Sequence, residues 1–408
     1  DILIPSDKKC DLTAWSVVAC DQHTSEPEYW DEVENIVGDK PSSLRITFPE
    51  IYLNDEGKEE RIRAINSTME EYLAHGIFER YSDSFIYTER TLAGGGVRRG
   101  LIGRIDLEAY DYTKGSQSPV RATEGTVLER IPPRMAIRKD AVLEIPHIML
   151  LIDDPRRTVI EPVARKKDTL EKLYDFELML EGGRVAGYLA NAEAGHIGEA
   201  LTALAERDCD VSGKGALLFA VGDGNHSLAT AKECFERVKA ELPRSKWEHH
   251  PARYALVEVV NLHDGSLEFE PIHRVAFDVN PNHLLRELTH YYDISYGETD
   301  GQSFTYITAT GEGSMKINNP SSNLTVGSLQ NFLDYYTDRF GGRIDYIHGD
   351  DVVRTLSANL GAIGFMLPNI RKAELFPTVI LDGALPRKTF SMGHANDKRF
   401  YLEARKIK

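Results

Sequence analysis

Ala216-Leu217-Leu218-Phe219-Ala220-Val221 is an apolar run, Gly222-Asp223-Gly224-Asn225-His226-Ser227 is polar with two glycines, and Leu228 to Ala240 carries helical periodicity. The first reads as a buried strand and the last as a helix, so the residues between them form a strand-to-helix turn. In α/β folds that junction, at the carboxyl end of a strand, is where ligands bind. Gly222 and Gly224 let the backbone come close to a ligand, and the helix start beyond them presents unpaired N–H groups with a partial positive charge. A phosphate suits that field. Asp223 adds a carboxylate able to hold a divalent ion or accept a proton, and His226 adds a titratable ring. Asn225 and Ser227 supply neutral hydrogen bonds. A plain turn, with Asp223 closing an Asx turn and His226 capping the helix, accounts for one polar residue better than for this concentration of them.

Working outward, His147 to Ile152 is a continuous apolar run that stops at Asp153-Asp154-Pro155, as a buried strand does. Ala192 to Asp208 has helical spacing through Ile197, Ala200, Leu201 and Leu204. An earlier helix follows Asn54-Asp55, with Ile62, Ile65, Met69, Tyr72 and Leu73 on one face and Gly76 as its stop. Strand-like runs from Phe85 to Arg90 and from Leu101 to Leu107 flank Gly94-Gly95-Gly96, which reads as a hairpin turn. An anion cradle completed by Arg98 and Arg99 is the weaker reading, because no helix signal follows. The last third alternates helix-like segments, Leu284 to Tyr292 and Leu329 to Phe340, with short strands such as Phe304 to Thr308. The expectation is an α/β or α+β fold with a mixed sheet around the Asp223 loop. Its divisions are an N-terminal α+β unit (1–118), a catalytic core (119–280) and a C-terminal α/β unit (281–408) that closes the cleft.

The 64 acidic and 48 basic residues leave a formal charge of −16, which repels a polyanion over most of the surface and argues against nucleic acid as a partner. No apolar stretch approaches the roughly 20 residues of a membrane span, and no basic-then-apolar leader opens the chain, so a cytoplasmic enzyme is expected. Cys10, Cys20, Cys209 and Cys234 show no CxxC spacing and read as reduced thiols. His249-His250 and His348-Gly349-Asp350-Asp351 lack a complementary ligand at i, i+4 and read as structural. A magnesium ion held mostly by substrate phosphates needs one carboxylate, for which Asp223 is the best placed.

Phosphoryl transfer also requires cations around the equatorial oxygens and a group that takes the hydroxyl proton. Arg121-Ala122-Thr123-Glu124-Gly125-Thr126, followed by Glu129-Arg130 and Arg134, offers both. Glu124 is the expected general base and Arg121 and Arg130 the phosphate clamps, against the alternative of a solvated charged loop. His273-Arg274 and Arg387-Lys388 are further phosphate-binding candidates, the former pair equally readable as a buried ion pair.

The run Asp223-Gly224-Asn225-His226 between strand and helix resembles the Asp-Gly-His-His-Arg motif of free-serine kinases with a ParB/sulfiredoxin-like fold. Trp15-Ser16-Val17-Val18-Ala19-Cys20-Asp21-Gln22, Pro271-Ile272-His273-Arg274-Val275 and Leu385-Pro386-Arg387-Lys388-Thr389 resemble the domain of unknown function 1015 family, which lies near that superfamily. The kinase resemblance implies a ParB/sulfiredoxin-like strand-loop-helix core, a motif that engages the donor's phosphates and an upstream glutamate that activates serine. This chain departs from the motif with Asn225 in place of a histidine and Ser227 in place of an arginine. The implied activity is a magnesium-dependent transfer of phosphate from pyrophosphate or a nucleotide to free L-serine, giving O-phosphoserine. Pyrophosphate is the favoured donor, because neither a P-loop nor a Gly-rich kinase loop is present and no apolar cluster near the loop announces an adenine pocket. A phosphoserine phosphatase is the rival within enzymes, and a non-catalytic ParB-like nucleotide- or DNA-binding module the rival outside them.

Overall fold

The computed structural model describes residues 1–53, 55–207, 213–386, 388–393 and 395–408, so Asn54, Asp208, Cys209 and Arg387 lie outside the described residues. At the junction around Asp223, the strand is Phe219–Asp223 and the helix Asn225–Glu241. The strand therefore runs on into the polar stretch and the helix begins before the apolar periodicity does. Two contacts explain the shift. Val221 pairs with Leu150 and Asp223 with Met149, which leaves Gly222 as the extra residue of a bulge. Upstream, the N–H groups of Leu218 and Phe219 both go to the Pro119 carbonyl, 2.9 and 3.0 Å away, so Ala216 to Leu218 stay outside the ladder.

Gly224 alone links strand to helix, with φ +79, and a Cβ there would lie 3.0 Å from Ile148 Cα and 3.1 Å from its Cγ1. A left-handed backbone and a crowded neighbour both require glycine. Gly224→Ala is expected to cost about 1–3 kcal/mol, read as a lower urea midpoint at unchanged slope. An unchanged midpoint would show that the turn relaxes without strain.

The Phe219–Asp223 strand lies inside a nine-stranded mixed sheet. Across it run Tyr110–Asp111, Val120–Ala122, Phe219–Asp223, Met149–Ile152, Tyr254–Asn261, Val97–Asp106, Ile86–Thr91, Arg184–Leu189 and Glu171–Glu177. Phe219–Asp223 is parallel to Val120–Ala122 and antiparallel to Met149–Ile152. Met149–Ile152 is buried throughout, as its apolar run requires. The triple glycine closes the expected hairpin, with Thr91 opposite Val97. Helices Lys58–Ala74 and Ala194–Arg207 occupy the segments read as helical. The fold is mixed α/β. Among the described residues no helix is long and apolar enough to cross a membrane.

Residues 1–267 and 393–408 form one compact unit and 268–392 a second. Strands from both sides of residue 118 share the large sheet of the first unit. The C-terminal residues return to that unit: Trp15 Nε1 donates to the Leu402 carbonyl at 3.1 Å, Leu3 bridges to Ala404, and Arg405–Lys406 pairs with Leu143–Glu144. In the second unit a seven-stranded antiparallel sheet runs Ile294–Tyr296, Gly311–Ile317, Gln302–Thr308, Ala362–Met366, Phe269–Phe277, Arg343–His348, with Phe390–Met392 pairing the start of Phe269–Phe277. Helices Pro281–Tyr291, Thr325–Phe340, Asp350–Ser357 and Lys372–Asp382 accompany them.

Candidate active site

Asn225, His226 and Ser227 occupy the first turn of the Asn225–Glu241 helix, and the residue before them, Gly224, offers no side-chain cap. The first N–H groups of a helix have no partner within it, so this end keeps its positive field. Asp223 Oδ1 accepts the Gly224 N–H at 2.9 Å, and its carboxylate lies 3.3 Å from Lys398 Nζ. The segment carrying Glu124 is pinned at both ends to this turn. Thr123 N–H donates to Asn225 Oδ1 at 3.3 Å while Thr123 Oγ1 donates to the Val221 carbonyl at 2.6 Å. Four residues on, Val127 N–H donates to His226 Nε2 at 3.3 Å. His226 thus ties a neighbouring loop down rather than capping its own helix.

Accepting at Nε2 makes the His226 ring carry its hydrogen on Nδ1. Burial, followed by the charges of Arg134 and Arg130, pushes the ring's pKa down to about 4, so it is neutral near pH 7. Arg130 is exposed, whereas Arg134 is half-buried, paired with Glu50, and donates to the Arg130 carbonyl at 2.9 Å.

Beside the turn sits a group of side chains that the sequence did not mark. His147 Nε2 is 3.5 Å from Asp21 Oδ2 and 3.4 Å from Ser227 Oγ, and its Nδ1 is 3.0 Å from the Tyr401 hydroxyl. The same hydroxyl accepts the Cys20 N–H at 3.1 Å. Burial opposes the charge on His147, but the Asp21 carboxylate outweighs it, with help from Asp223, and raises the ring's pKa. Asp21 is buried too, yet His147, Gln22 and Lys398 hold its carboxyl well below the usual range. Charges therefore alternate through Asp21, His147, Asp223 and Lys398. His147 had been legible only as the first residue of a strand, and Asp21 only as part of a segment resembling a family; Lys398 and Tyr401 gave no signal.

A cavity of about 160 Å³ is lined by Ser227, His147, Thr230 and Tyr401, by the charged Glu50, Arg134, Arg138 and Glu144, and by Ile46, Phe48, Leu53, Met69, Ile137 and Ile145. The expectation that no apolar cluster lies near the loop is thus corrected: these residues are far from the loop in sequence and reach it only through the fold.

Arg121 is buried, and its guanidinium donates to the carbonyls of Ser118 at 2.7 Å, Lys214 at 3.0 Å and Gly215 at 2.7 Å, pinning the approach to the Phe219–Asp223 strand. His273, Arg274 and Lys388 belong to the second unit. There His273 Nε2 lies 2.9 Å from Asp350 Oδ1, and its Nδ1 accepts the Leu367 N–H at 3.0 Å. Arg274 is fully buried, donates to Gln330 Oε1 at 2.8 Å and to the Lys388 carbonyl at 3.1 Å, and lies over the Tyr346 ring. Lys388 Nζ faces the same ring at 5.4 Å. His250 accepts the Ala252 N–H, and His348 contacts Glu270.

No curated protein matches the chain. Among solved structures it is similar to a free serine kinase in complex with AMP, at 9% identity and a TM-score of 0.39, over 74% of this chain and 90% of that one. It is also similar to SbnI with a C-terminal truncation from Staphylococcus aureus, at 9% identity and a TM-score of 0.38, over 74% of this chain and 85% of that one. A conserved hypothetical protein from Pyrococcus furiosus aligns at 11% identity and a TM-score of 0.36, over 75% of this chain and 95% of that one. The family described as Protein of unknown function (DUF1015) matches residues 4–336, a span that contains the whole Asp223 turn, its Thr123–Val127 anchor and the Asp21–His147 pair. The chain belongs to that family.

Proposed function

We propose that this site transfers a phosphoryl group from a polyphosphate donor to the hydroxyl of a small acceptor. The observation that carries the reading is the uncapped first turn at Asn225–Ser227, where helix N–H groups meet a histidine that burial, aided by the charges of Arg134 and Arg130, keeps neutral. A terminal phosphate placed there meets N–H donors and positive charge, and the His226 Nδ1–H can donate to one of its oxygens. Asp223 is the carboxylate that would hold a magnesium ion, with Lys398 beside it as a second cation, because magnesium typically takes one or two protein carboxylates and completes its shell with phosphate oxygens and water. Bound there, the ion would neutralise charge on the donor's phosphates.

Glu124 is the proposed base. It sits in the short loop held at Thr123 and Val127 against the helix start. Asp21 is the poorer choice, because its carboxyl is held far below the working pH and is committed to His147. In the step, the acceptor oxygen bonds to the terminal phosphorus, the bridging P–O bond breaks, the leaving phosphate takes that electron pair, and the hydroxyl proton passes to Glu124. Free L-serine is the acceptor suggested by the resemblance of the Asp223–His226 run to free-serine kinases, with O-phosphoserine as product.

Incubation of the full chain with serine, magnesium and in turn pyrophosphate, ADP or ATP, with phosphoserine quantified, tests this. Product with pyrophosphate is expected. Turnover with ADP or ATP alone would overturn the donor, and no phosphoserine from any donor would remove the serine-kinase reading. Asp223→Asn is expected to cut turnover by about 100-fold or more with a small change in melting temperature. A large loss of stability with residual turnover would instead assign the carboxylate to the turn. Glu124→Gln is expected to cut turnover by a similar factor of about 100 at unchanged stability, and a near-normal rate would take Glu124 out of the mechanism.

A further inference from the structure

We propose that the cavity beside Ser227 binds an apolar, ring-sized group carried by the acceptor, so that the preferred acceptor is a hydroxy compound, such as a substituted serine, bulkier and less polar than serine itself. The inference rests on the phosphoryl-transfer reading of the neighbouring turn. Its basis is the cavity's size and its lining, in which apolar side chains stand with Ser227 and His147. At about 160 Å³ it matches the scale of a cavity that accepts benzene, for which about 150 Å³ lined by Leu, Ile and Phe suffices. Serine has no group that would fill it.

The charged side chains along the walls are satisfied within the protein. Glu50 pairs with Arg134. Glu144 takes Arg138, Arg405 and the Leu256 N–H. The wall hydroxyls are similarly engaged: Thr47 Oγ1 donates to the Ser43 carbonyl at 2.8 Å, and Thr230 Oγ1 to the His226 carbonyl at 2.7 Å. Cys20 is a neutral thiol, its pKa pushed up to about 12 by burial. What remains is a largely apolar lining that also includes Ser227 and His147, the former in the phosphate-attracting helix start. Pockets of this kind take a ligand with an apolar body, oriented by a few polar atoms. A nucleobase is the poorer match, because the wall side chains that could read its polar edge are already paired.

Calorimetric titration of the full chain with L-serine, N-benzoyl-L-serine and adenine tests the inference. N-benzoyl-L-serine is expected to bind about tenfold or more tightly than serine or adenine. Ala141→Phe, which fills the cavity from its wall, and Leu53→Trp, which narrows it from the partly exposed side, are each expected to remove that advantage. Thermal melting shows which variant is folded, and either folded variant suffices. Equal affinity for the two serine compounds, tighter binding of adenine, or an undiminished preference in a folded variant would overturn the proposal. Because the readout is binding, it separates from the reaction: selective binding with no phosphorylated product from either serine compound would leave the cavity assignment standing and remove the phosphotransferase reading.

Discussion

Replacing Arg399 with methionine is expected to lower stability by about 3–5 kcal/mol at pH 7, the range seen when one partner of a buried ion pair is removed. Arg399 donates to both Glu258 and Glu403, and those residues are each only 2% exposed. Burial pushes the Glu258 carboxyl up, and the charges of Arg399, Arg98 and Arg90 outweigh burial and bring it below the usual range. Arg98 and Arg90 are poor substitutes for the lost partner. Arg98 Nε stands 3.8 Å from Glu258, and Arg90 is itself pushed down to about 9 by burial and by the charge of Arg98. Without Arg399, burial would push the Glu258 carboxyl up with less to oppose it. A carboxyl pushed up in the folded state costs less stability as pH falls, so the deficit should shrink from pH 7 to pH 5 as Glu258 takes up a proton. Urea midpoints of both proteins at the two pH values check this, and a loss below about 1 kcal/mol at pH 7 would show that water enters and solvates the pair.

The second large effect concerns Asp21 and His147. Asp21 has a depressed carboxyl, so its share of stability is present above the unfolded value of 3.8 and is lost as pH falls through the folded one. His147 has a raised imidazole, so its share is fully present below the unfolded value of 6.5 and is lost as pH rises through the folded one. The pair therefore contributes most between those two values. Asp21→Asn is expected to cost about 3 kcal/mol near pH 5.5, where it leaves a buried imidazole without its partner, and less as pH rises through the folded value of His147, where the ring gives up its proton. Chemical denaturation of both proteins across that range measures the difference, and a gap that stays constant with pH would mean that His147 carries no charge in the folded protein.

The Asp223 junction was legible because three signals met there: an apolar run, a glycine-bearing polar stretch and a helical period. Its limits were misplaced by a few residues for a local reason. Asp223 pairs with Met149, and Asn225 and His226 bond sideways to Thr123 and Val127, so residues that look like loop serve as strand end and first helical turn. The position of Glu124 beside that turn depends on the same two long-range bonds, which no periodicity announces. Arg121 illustrates a different limit. An arginine's type fixes its charge and its donors, but whether those donors meet a ligand or a row of carbonyls is decided by residues 214–216, nearly a hundred positions away. Asp21, His147, Lys398 and Tyr401 converge from across the chain, and a single sequence holds no trace of that convergence.

The return of the C-terminal residues to the first unit gives the protein a built-in delay. Glu144, His147 and Glu258 emerge from the ribosome early, whereas their partners Arg405, Tyr401 and Arg399 are made only after the whole of 268–392. At typical synthesis rates of about 5–20 residues per second, that interval is on the order of 10 s. Throughout it Glu258 lacks Arg399, Glu144 lacks Arg405 and Asp223 lacks Lys398. The site can thus be completed only on a chain that has been translated at least through Tyr401, and a message cut short within the second unit would yield a protein with the Asp223 turn but with no Tyr401 to hold His147 in place.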